Sequence, residues 1–161
     1  METIAVYGTK GGAGTTVVAA AIAIERSGTL DSPDACAVLG RPDGSPEVAL
    51  GAGPLVEDRG VVTTTNRPNG KVPAILVTRA CYLGLRSALR TDLSGFRGVV
   101  LVEEPGRALG VGDVEATLDL PVLAIVPWEP SVARAVDSGL LEARMPVSLR
   151  RMVARLKSER I

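Results

Sequence analysis

Short apolar runs alternate with longer helical patterns along most of the chain. The runs of strand length are rich in Val, Ile, Leu and Ala, and they cover Thr3–Tyr7, Ala35–Leu39, Ala74–Thr78, Val99–Val102 and Pro121–Val126. Helical patterns cover Thr15–Arg26, Tyr82–Arg90, Gly112–Leu118, Ser131–Ser138 and a final segment opened by Pro146. Strands that alternate with helices predict an α/β fold, a mostly parallel, doubly wound sheet flanked by helices.

The middle of the chain has a weaker pattern. Residues 40–60 are rich in Gly, Pro and acidic side chains, so we expect mostly loop there. Val61–Thr65 predicts at most a weak strand, and Asn66–Gly70 predicts a turn. Because the sequence has 161 residues, no long linker and no internal repeat, residues 1–161 are expected to form a single domain.

Composition narrows the classes of function. His is absent, which removes the commonest general base and metal ligand. Cys36 and Cys81 are too few and too far apart for a zinc site, so we expect buried thiols. No apolar run approaches the roughly 18 residues of a membrane-spanning helix, and no signal-peptide pattern is present, so we expect a cytoplasmic protein.

A glycine-rich segment follows the first strand. Residues 9–16 read Thr-Lys-Gly-Gly-Ala-Gly-Thr-Thr. Consecutive glycines let the backbone turn its amides inward, and the start of the next helix adds unpaired N–H groups, so the segment favours an anion. Thr16 stands where a hydroxyl could reach Mg²⁺. A plain turn between a strand and a helix is the alternative for the same residues.

This segment resembles the deviant Walker A loop of the ParA/MinD family of P-loop ATPases, which reads KGG-x-G-K-[ST], and the following TTVVAAAIA is similar to the family's KSTVAANLA. The resemblance implies a homodimer and a site for ATP or ADP with Mg²⁺. Lys10 matches the signature lysine, which contacts phosphate across a nucleotide-sandwich dimer, whereas Thr15 replaces the lysine that holds the β- and γ-phosphates. The implied phosphate-binding residues are Lys10, Gly11, Gly12, Ala13, Gly14, Thr15 and Thr16.

Two further motifs of the family are altered. Residues 38–51, VLGRPDGSPEVALG, align with the family's VDADPQGSLALALG, so Leu39 and Arg41 replace its two aspartates, the second of which helps to position attacking water. The Walker B strand should end in the Asp that serves Mg²⁺. Its candidate matches are VVTTTN, AILVTR and VVLVEE, and none supplies that Asp. We therefore expect no magnesium carboxylate and no metal held by the protein.

A third stretch, residues 98–141, resembles the family from its late strand through LG-x-PVLG-x-IP-x-D and the helix behind it. In the family the loop after that last strand packs on adenine, and the resemblance assigns this role to Pro127, Trp128 and Glu129. Trp128 could stack on a base. Packing of this single Trp within the protein is an equal alternative.

The three altered motifs argue against ATP hydrolysis, because phosphoryl transfer depends on positioning and on stabilising the developing charge. We expect a non-hydrolysing module that dimerises or binds a protein partner in DNA partition or positioning. Nucleotide binding stays open, because the glycines and the helix start suffice for an anion site. The alternative is a slow ATP-dependent switch that uses Glu103 or residues of a partner.

The end of the chain is basic, with six Lys or Arg and one Glu over residues 143–161. Leu149, Met152, Val153 and Leu156 recur at helical spacing, and the basic residues between them are Arg150, Arg151, Arg155 and Lys157. This pattern predicts either a docked helix with a solvated face or a surface for non-specific DNA. A membrane is less favoured, because no bulky aromatic anchor is present.

One more group of residues follows the third predicted strand. Arg79, Cys81 and Tyr82 lie just beyond Ala74–Thr78, and open α/β sheets bind ligands beyond the carboxyl ends of their strands. Arg79 could therefore serve an anion. A surface arginine beside ordinary packing residues is the alternative.

Overall fold

Seven strands form one sheet in the computed structural model, which describes residues 2–161. They are β1 (Thr3–Gly8), β2 (Thr29–Asp31), β3 (Glu47–Ala49), β4 (Leu55–Val61), β5 (Ala74–Arg79), β6 (Gly98–Val102) and β7 (Val122–Val126). Their order across the sheet is β3-β2-β4-β1-β5-β6-β7, and all neighbouring pairs are parallel except β2 with β3. The predicted fold class is confirmed.

Within residues 2–161, six helices cover the two faces of this sheet. They are α1 (Thr15–Glu25), α2 (Ala35–Leu39), α3 (Tyr82–Ala88), α4 (Val111–Leu118), α5 (Pro130–Asp137) and α6 (Val147–Ser158). The core under α1, α2, α5 and α6 is separate from the core under α3 and α4. No helix in this part of the chain is both long enough and apolar enough to cross a membrane.

The strand β1 is buried on both faces. Ile4 and Val6 pack into the core beneath α1, whereas Ala5 and Tyr7 pack into the core beneath α3 and α4, because successive side chains of a strand point to opposite faces. Tyr7 meets Phe96 edge to face, with 5.4 Å between the ring centroids. Cys36 and Cys81 are buried free thiols, as predicted.

The structure corrects two sequence predictions in the first third of the chain. Ala35–Leu39, expected to be a strand, is the helix α2, which Gly40 ends with a φ of +66°. Five apolar residues in a row suit a buried strand and a buried helix turn equally well, so the pattern alone did not separate them. The strand of this region is β2, which is only three residues long and has one buried residue, Leu30.

Residues 40–60 were expected to be mostly loop, yet they hold β3 and nearly all of β4. The strand β4 lies near the middle of the sheet, between β2 and β1. Val56 is its only fully buried residue, and Glu57, Asp58 and Arg59 follow. A central strand usually reads as a continuous apolar run, so this charged segment was overlooked.

Candidate functional site

The segment between β1 and α1 turns at the edge of the sheet where the parallel strands end. Gly12 and Gly14 have φ values of +74° and +100°, which residues with a side chain rarely adopt. A Cβ at Gly11 or Gly12 would meet open space, so a ligand can approach this backbone closely. Gly14 directly precedes α1, whose first N–H groups have no partner within the helix. The geometry is that of an anion-binding loop.

A cleft of about 410 Å³ opens over this glycine loop. All the residues that the sequence assigned to phosphate binding, from Lys10 to Thr16, line it. The rest of the lining comes from Val17, from Pro33 and Asp34 after β2, and from the end of β4, Asp58–Val61. The loop therefore shares its cleft with two carboxylates, which belong to Asp34 and Asp58.

Asp58 contacts the loop directly. Its Oδ2 accepts a hydrogen bond from the hydroxyl of Thr16 at 2.6 Å and another from the hydroxyl of Ser32 at 2.8 Å. The prediction that no carboxylate accompanies Thr16 is therefore wrong. The candidate strands in the sequence were VVTTTN, AILVTR and VVLVEE, of which AILVTR forms β5, a neighbour of β1. The neighbour on the other side of β1 is β4, in which Asp58 pairs in register with Val6. The signal that could have found it was Leu-Val-Glu-Asp, residues 55–58.

The assignment of Leu39 and Arg41 to the family's aspartates is also wrong. Leu39 is buried at the end of α2, and the Arg41 guanidinium pairs with Glu142 at 2.7 Å. Within the described residues, neither lines the loop cleft, whereas Pro33 and Asp34, which follow β2, do. The predicted position of the motif depended on a strand at Ala35–Leu39, and this segment is the helix α2. Arg41 therefore gives no argument about hydrolysis.

Thr15 follows Gly14 and is the first residue of α1. Its side chain is buried, and its hydroxyl lies directly against Gly8 at the end of β1. A threonine at this position brings neither a positive charge nor the reach of a lysine to the cleft. Lys10, in contrast, is half-buried and lines the cleft, and its backbone carbonyl accepts a hydrogen bond from the Ala13 N–H at 3.3 Å.

A second cavity, of about 200 Å³, adjoins the loop on the side of β6 and β7. It is mostly apolar, and Gly14, Val18, Val102 and Val126 contribute to its wall. The three residues expected on the adenine side also line it, namely Pro127, Trp128 and Glu129. The Trp128 side chain is 58% exposed, so it is not a core residue. The structure thus places the loop and the expected adenine side next to one another.

Arg79 connects the loop to the end of β6. Its Nε donates to the carbonyl of Gly12 at 2.7 Å, and its guanidinium pairs with Glu104. The same carboxylate accepts a hydrogen bond from the Arg107 Nε at 2.8 Å. These hydrogen bonds, first from Arg79 and then from Arg107, hold the pKa of Glu104 below its ordinary value. Arg79 also lines the second cavity.

The basic helix α6 lies apart from the loop. Leu149, Met152, Val153 and Leu156 are buried, as the spacing predicts, and the helix packs against α1 and β7. The predicted DNA-contact residues Arg150, Arg151, Arg155 and Lys157 are all exposed. Two of them form ion pairs, Arg150 with Glu25 at 3.3 Å and Arg155 with Glu159 at 3.4 Å. The helix is docked, and its basic face remains open.

No family model and no curated protein matches the sequence. Solved structures do match over nearly the whole chain. The MinC:MinD cell division protein complex of Aquifex aeolicus matches with a TM-score of 0.76 and 16% identity, covering 100% of this chain and 98% of that chain. A ParA family ATPase from Chlorobium tepidum TLS gives 0.64 and 12%, covering 94% and 95%. The apo McdA structure from Cyanthece gives 0.69 and 11%, covering 98% of each.

Each of these alignments covers at least 94% of the chain. At 11% to 16% identity they establish the fold and not the activity. The observed sheet, with its glycine loop between β1 and α1, agrees with them. The chain has the α/β P-loop fold of the ParA/MinD proteins.

Proposed function

We propose that this protein binds ATP or ADP with Mg²⁺ at the glycine loop. We further propose that the nucleotide-bound form dimerises or binds a protein partner, and that it acts in positioning or in DNA partition. The hydrogen bond between Thr16 and Asp58 carries the proposal. It joins the first turn of α1 to a carboxylate of β4, the strand beside β1, and both residues line the cleft over the loop. A plain turn between a strand and a helix has no need of such a pair.

The residues present fit a magnesium ion that also binds phosphate. Among residues 2–161, no three His, Cys, Asp or Glu side chains cluster closely enough to hold a metal alone. Mg²⁺ in nucleotide sites is usually held by one or two protein oxygens together with the phosphates. Thr16 and Asp58 would hold it here, and the ion would neutralise phosphate charge when bound. Ser32 orients the Asp58 carboxylate through its hydrogen bond.

Thr15 is the reason for proposing a non-hydrolysing protein. A lysine at this position would stabilise the charge that develops on the transferred phosphoryl group, and loss of one such group costs a few kcal/mol, or about 10²–10³ in rate. Within the chain, the Thr15 hydroxyl lies against Gly8 and brings no charge. A slow ATP-dependent switch is the second candidate, and the presence of Asp34 and Asp58 in the cleft favours it.

The dimer proposal is supported by apolar side chains near the loop edge. Tyr82 and Leu83, which open α3 just after β5, are 66% and 63% exposed, and Trp128 after β7 is 58% exposed. All three follow carboxyl ends of parallel strands, as the glycine loop does. Apolar and aromatic side chains that form one patch on a surface are typical of interfaces, and we infer that these three residues belong to one such patch. Among the similar structures, MinD is solved in complex with MinC, which supports the proposal of a protein partner.

Calorimetric titration with Mg-ATP and Mg-ADP tests the nucleotide proposal. We expect binding that weakens at least tenfold when Mg²⁺ is chelated or in Asp58→Asn, because the ion loses a charged ligand. The matched control is Glu47→Gln, which removes an exposed carboxylate of β3 outside the cleft. Absence of binding at millimolar nucleotide would refute the proposal. Phosphate release above background that disappears in Lys10→Ala would favour the slow switch instead.

A further inference from the structure

We propose that Arg79 is a positioning residue for the glycine loop: by holding the Gly12 carbonyl and Glu104 together, it fixes the loop in its anion-binding shape. The phosphate part of this inference rests on the proposed function. The contact itself does not, because the Arg79 Nε donates to the Gly12 carbonyl at 2.7 Å in the protein alone. Arg79 thereby joins the ends of β5 and β6 to a loop that begins at the end of β1.

The loop has few other restraints at this point. A Cβ at Gly11 or Gly12 would meet no atom within 4 Å, so no side chain or backbone packs against these residues from that direction. Gly12 has a φ of +74°, and glycine loses more conformational freedom on ordering than any other residue. A hydrogen bond from a charged donor is stronger than one between neutral groups. Arg79 therefore offsets part of the cost of holding Gly12 in place.

The Arg79 side chain is itself fixed by an ion pair. Its guanidinium pairs with Glu104, and Glu104 is paired a second time with Arg107. The Glu104 side chain is only 16% exposed, whereas that of Arg79 is 37% exposed. Two guanidinium groups share one carboxylate, so this group of three side chains has one positive charge in excess beside the loop. Thr15 adds no positive charge to that of Lys10 in the loop, and Arg79 brings a second one to the Gly12 side.

The planar guanidinium is needed for this role, because it presents several N–H donors in fixed directions. One donor reaches Gly12 while another reaches Glu104. A lysine at position 79 keeps the charge but has a single ammonium, which cannot hold both acceptors in the same geometry. Arg79→Lys thus separates positioning from charge.

The test measures two properties of the full chain. Amide hydrogen exchange over residues 10–14 reports loop order without any ligand, and calorimetry with inorganic pyrophosphate and with Mg-ATP reports binding. We expect Arg79→Lys to raise exchange rates in the loop and to weaken both ligands about tenfold, the size of one charge-assisted hydrogen bond. Glu104→Gln should act in the same direction but less strongly. Arg90→Ala, which removes an exposed arginine after α3, should change neither property.

Unchanged loop exchange in Arg79→Lys would overturn the positioning role. Faster exchange with wild-type affinity would overturn its connection to phosphate. If the wild-type chain bound neither pyrophosphate nor Mg-ATP, the proposed function would fail and the phosphate part of this inference with it. Faster exchange in Arg79→Lys would then still support the contact with Gly12. A thermal unfolding midpoint for each variant separates these outcomes from a general loss of folding.

Discussion

Glu104 is bound by two arginines, and this environment makes its effect on stability depend on pH. Hydrogen bonds from Arg79 and Arg107 lower its pKa. A carboxyl group with a lowered folded-state pKa stabilises the protein above its unfolded pKa, about 4.3, and this contribution is lost as the pH falls through the folded value. The stabilisation is present at pH 7 and disappears in acid.

Glu104→Gln should therefore lower the free energy of unfolding at pH 7 by no more than about 1 kcal/mol, because solvent screens these partly exposed pairs. The difference from the wild type should shrink when the pH falls from about 4 to about 3. Urea unfolding at several pH values measures it. Glu159→Gln is the control, because Glu159 has the single exposed partner Arg155. If the difference in unfolding free energy between the wild type and Glu104→Gln stayed constant down to pH 3, the ion pairs of Glu104 would not be its cause.

Some residues of the site could be predicted from the sequence and others could not. The positions of Lys10 and Thr15 in the loop could be assigned from the sequence, because the glycines around them fix the alignment of the motif. Both residues line the cleft. Asp58 was not evident, because no local pattern links it to Thr16, 42 residues away. Parallel strands bring such positions together only through the sheet. The distance along the chain is also why the contact between Arg79 and Gly12 was missed.

The helix α6 has an amphipathic pattern. Its apolar residues are buried, and its basic residues are exposed along the other face. If this face binds DNA, affinity should fall with salt, because each neutralised phosphate releases counterions. Of the neighbouring residues Arg150 and Arg151, Arg151 is the better candidate for a contact with DNA, since Arg150 already has Glu25 as a partner.

Arg150→Ala combined with Arg151→Ala should weaken non-specific DNA binding and reduce the slope of log K against log salt by about 2, or about 0.9 for each lost phosphate contact. Fluorescence anisotropy with a mixed-sequence duplex at several salt concentrations measures both. The matched control is Arg86→Ala with Arg90→Ala, which removes two exposed arginines at α3. Equal affinity and slope in both double variants would count against a DNA role for α6.

Among the elements, the success of the predictions did not depend on length, since the seven-residue strand β4 was missed and the five-residue strands β6 and β7 were found. The helix α1 and the strands β5, β6 and β7 lie within one or two residues of their predicted bounds. The errors fell on α2 and on the strands β2, β3 and β4, and those at α2 and β4 had different causes. An apolar run of five residues, such as α2, suits a strand and a helix equally well. The central strand β4 carries charged side chains that face a polar cleft, so it lacks the continuous apolar run typical of a central strand.

The whole molecule presents apolar side chains and the glycine loop at one edge, which leads to a prediction about assembly. In sedimentation velocity at high concentration, we expect dimers whose fraction rises with Mg-ATP. Leu83→Lys should weaken the dimer at least tenfold, because it places a charge among exposed apolar groups at the start of α3. Leu89→Lys is the control, since Leu89 is 57% exposed but follows the far end of α3.

A wild-type protein that stayed monomeric with and without nucleotide would contradict the dimer proposal. A dimer weakened equally by Leu83→Lys and Leu89→Lys would place the interface elsewhere. Tyr82 and Trp128 are also exposed, and we assign them to the same proposed interface. Substituting Trp128 alone should reduce nucleotide affinity more than dimer formation if the base lies in the second cavity, which Trp128 lines.

The sequence by itself determined the α/β class and the glycine loop, because both follow from contacts between neighbours in the chain: periodic burial, turns and the start of α1. It also determined that position 15 holds no lysine. Only the tertiary structure decided that β4 lies beside β1 and that Asp58 therefore reaches Thr16. It likewise decided that Arg79 supports Gly12. These contacts depend on strand order, which joins residues that no local pattern connects.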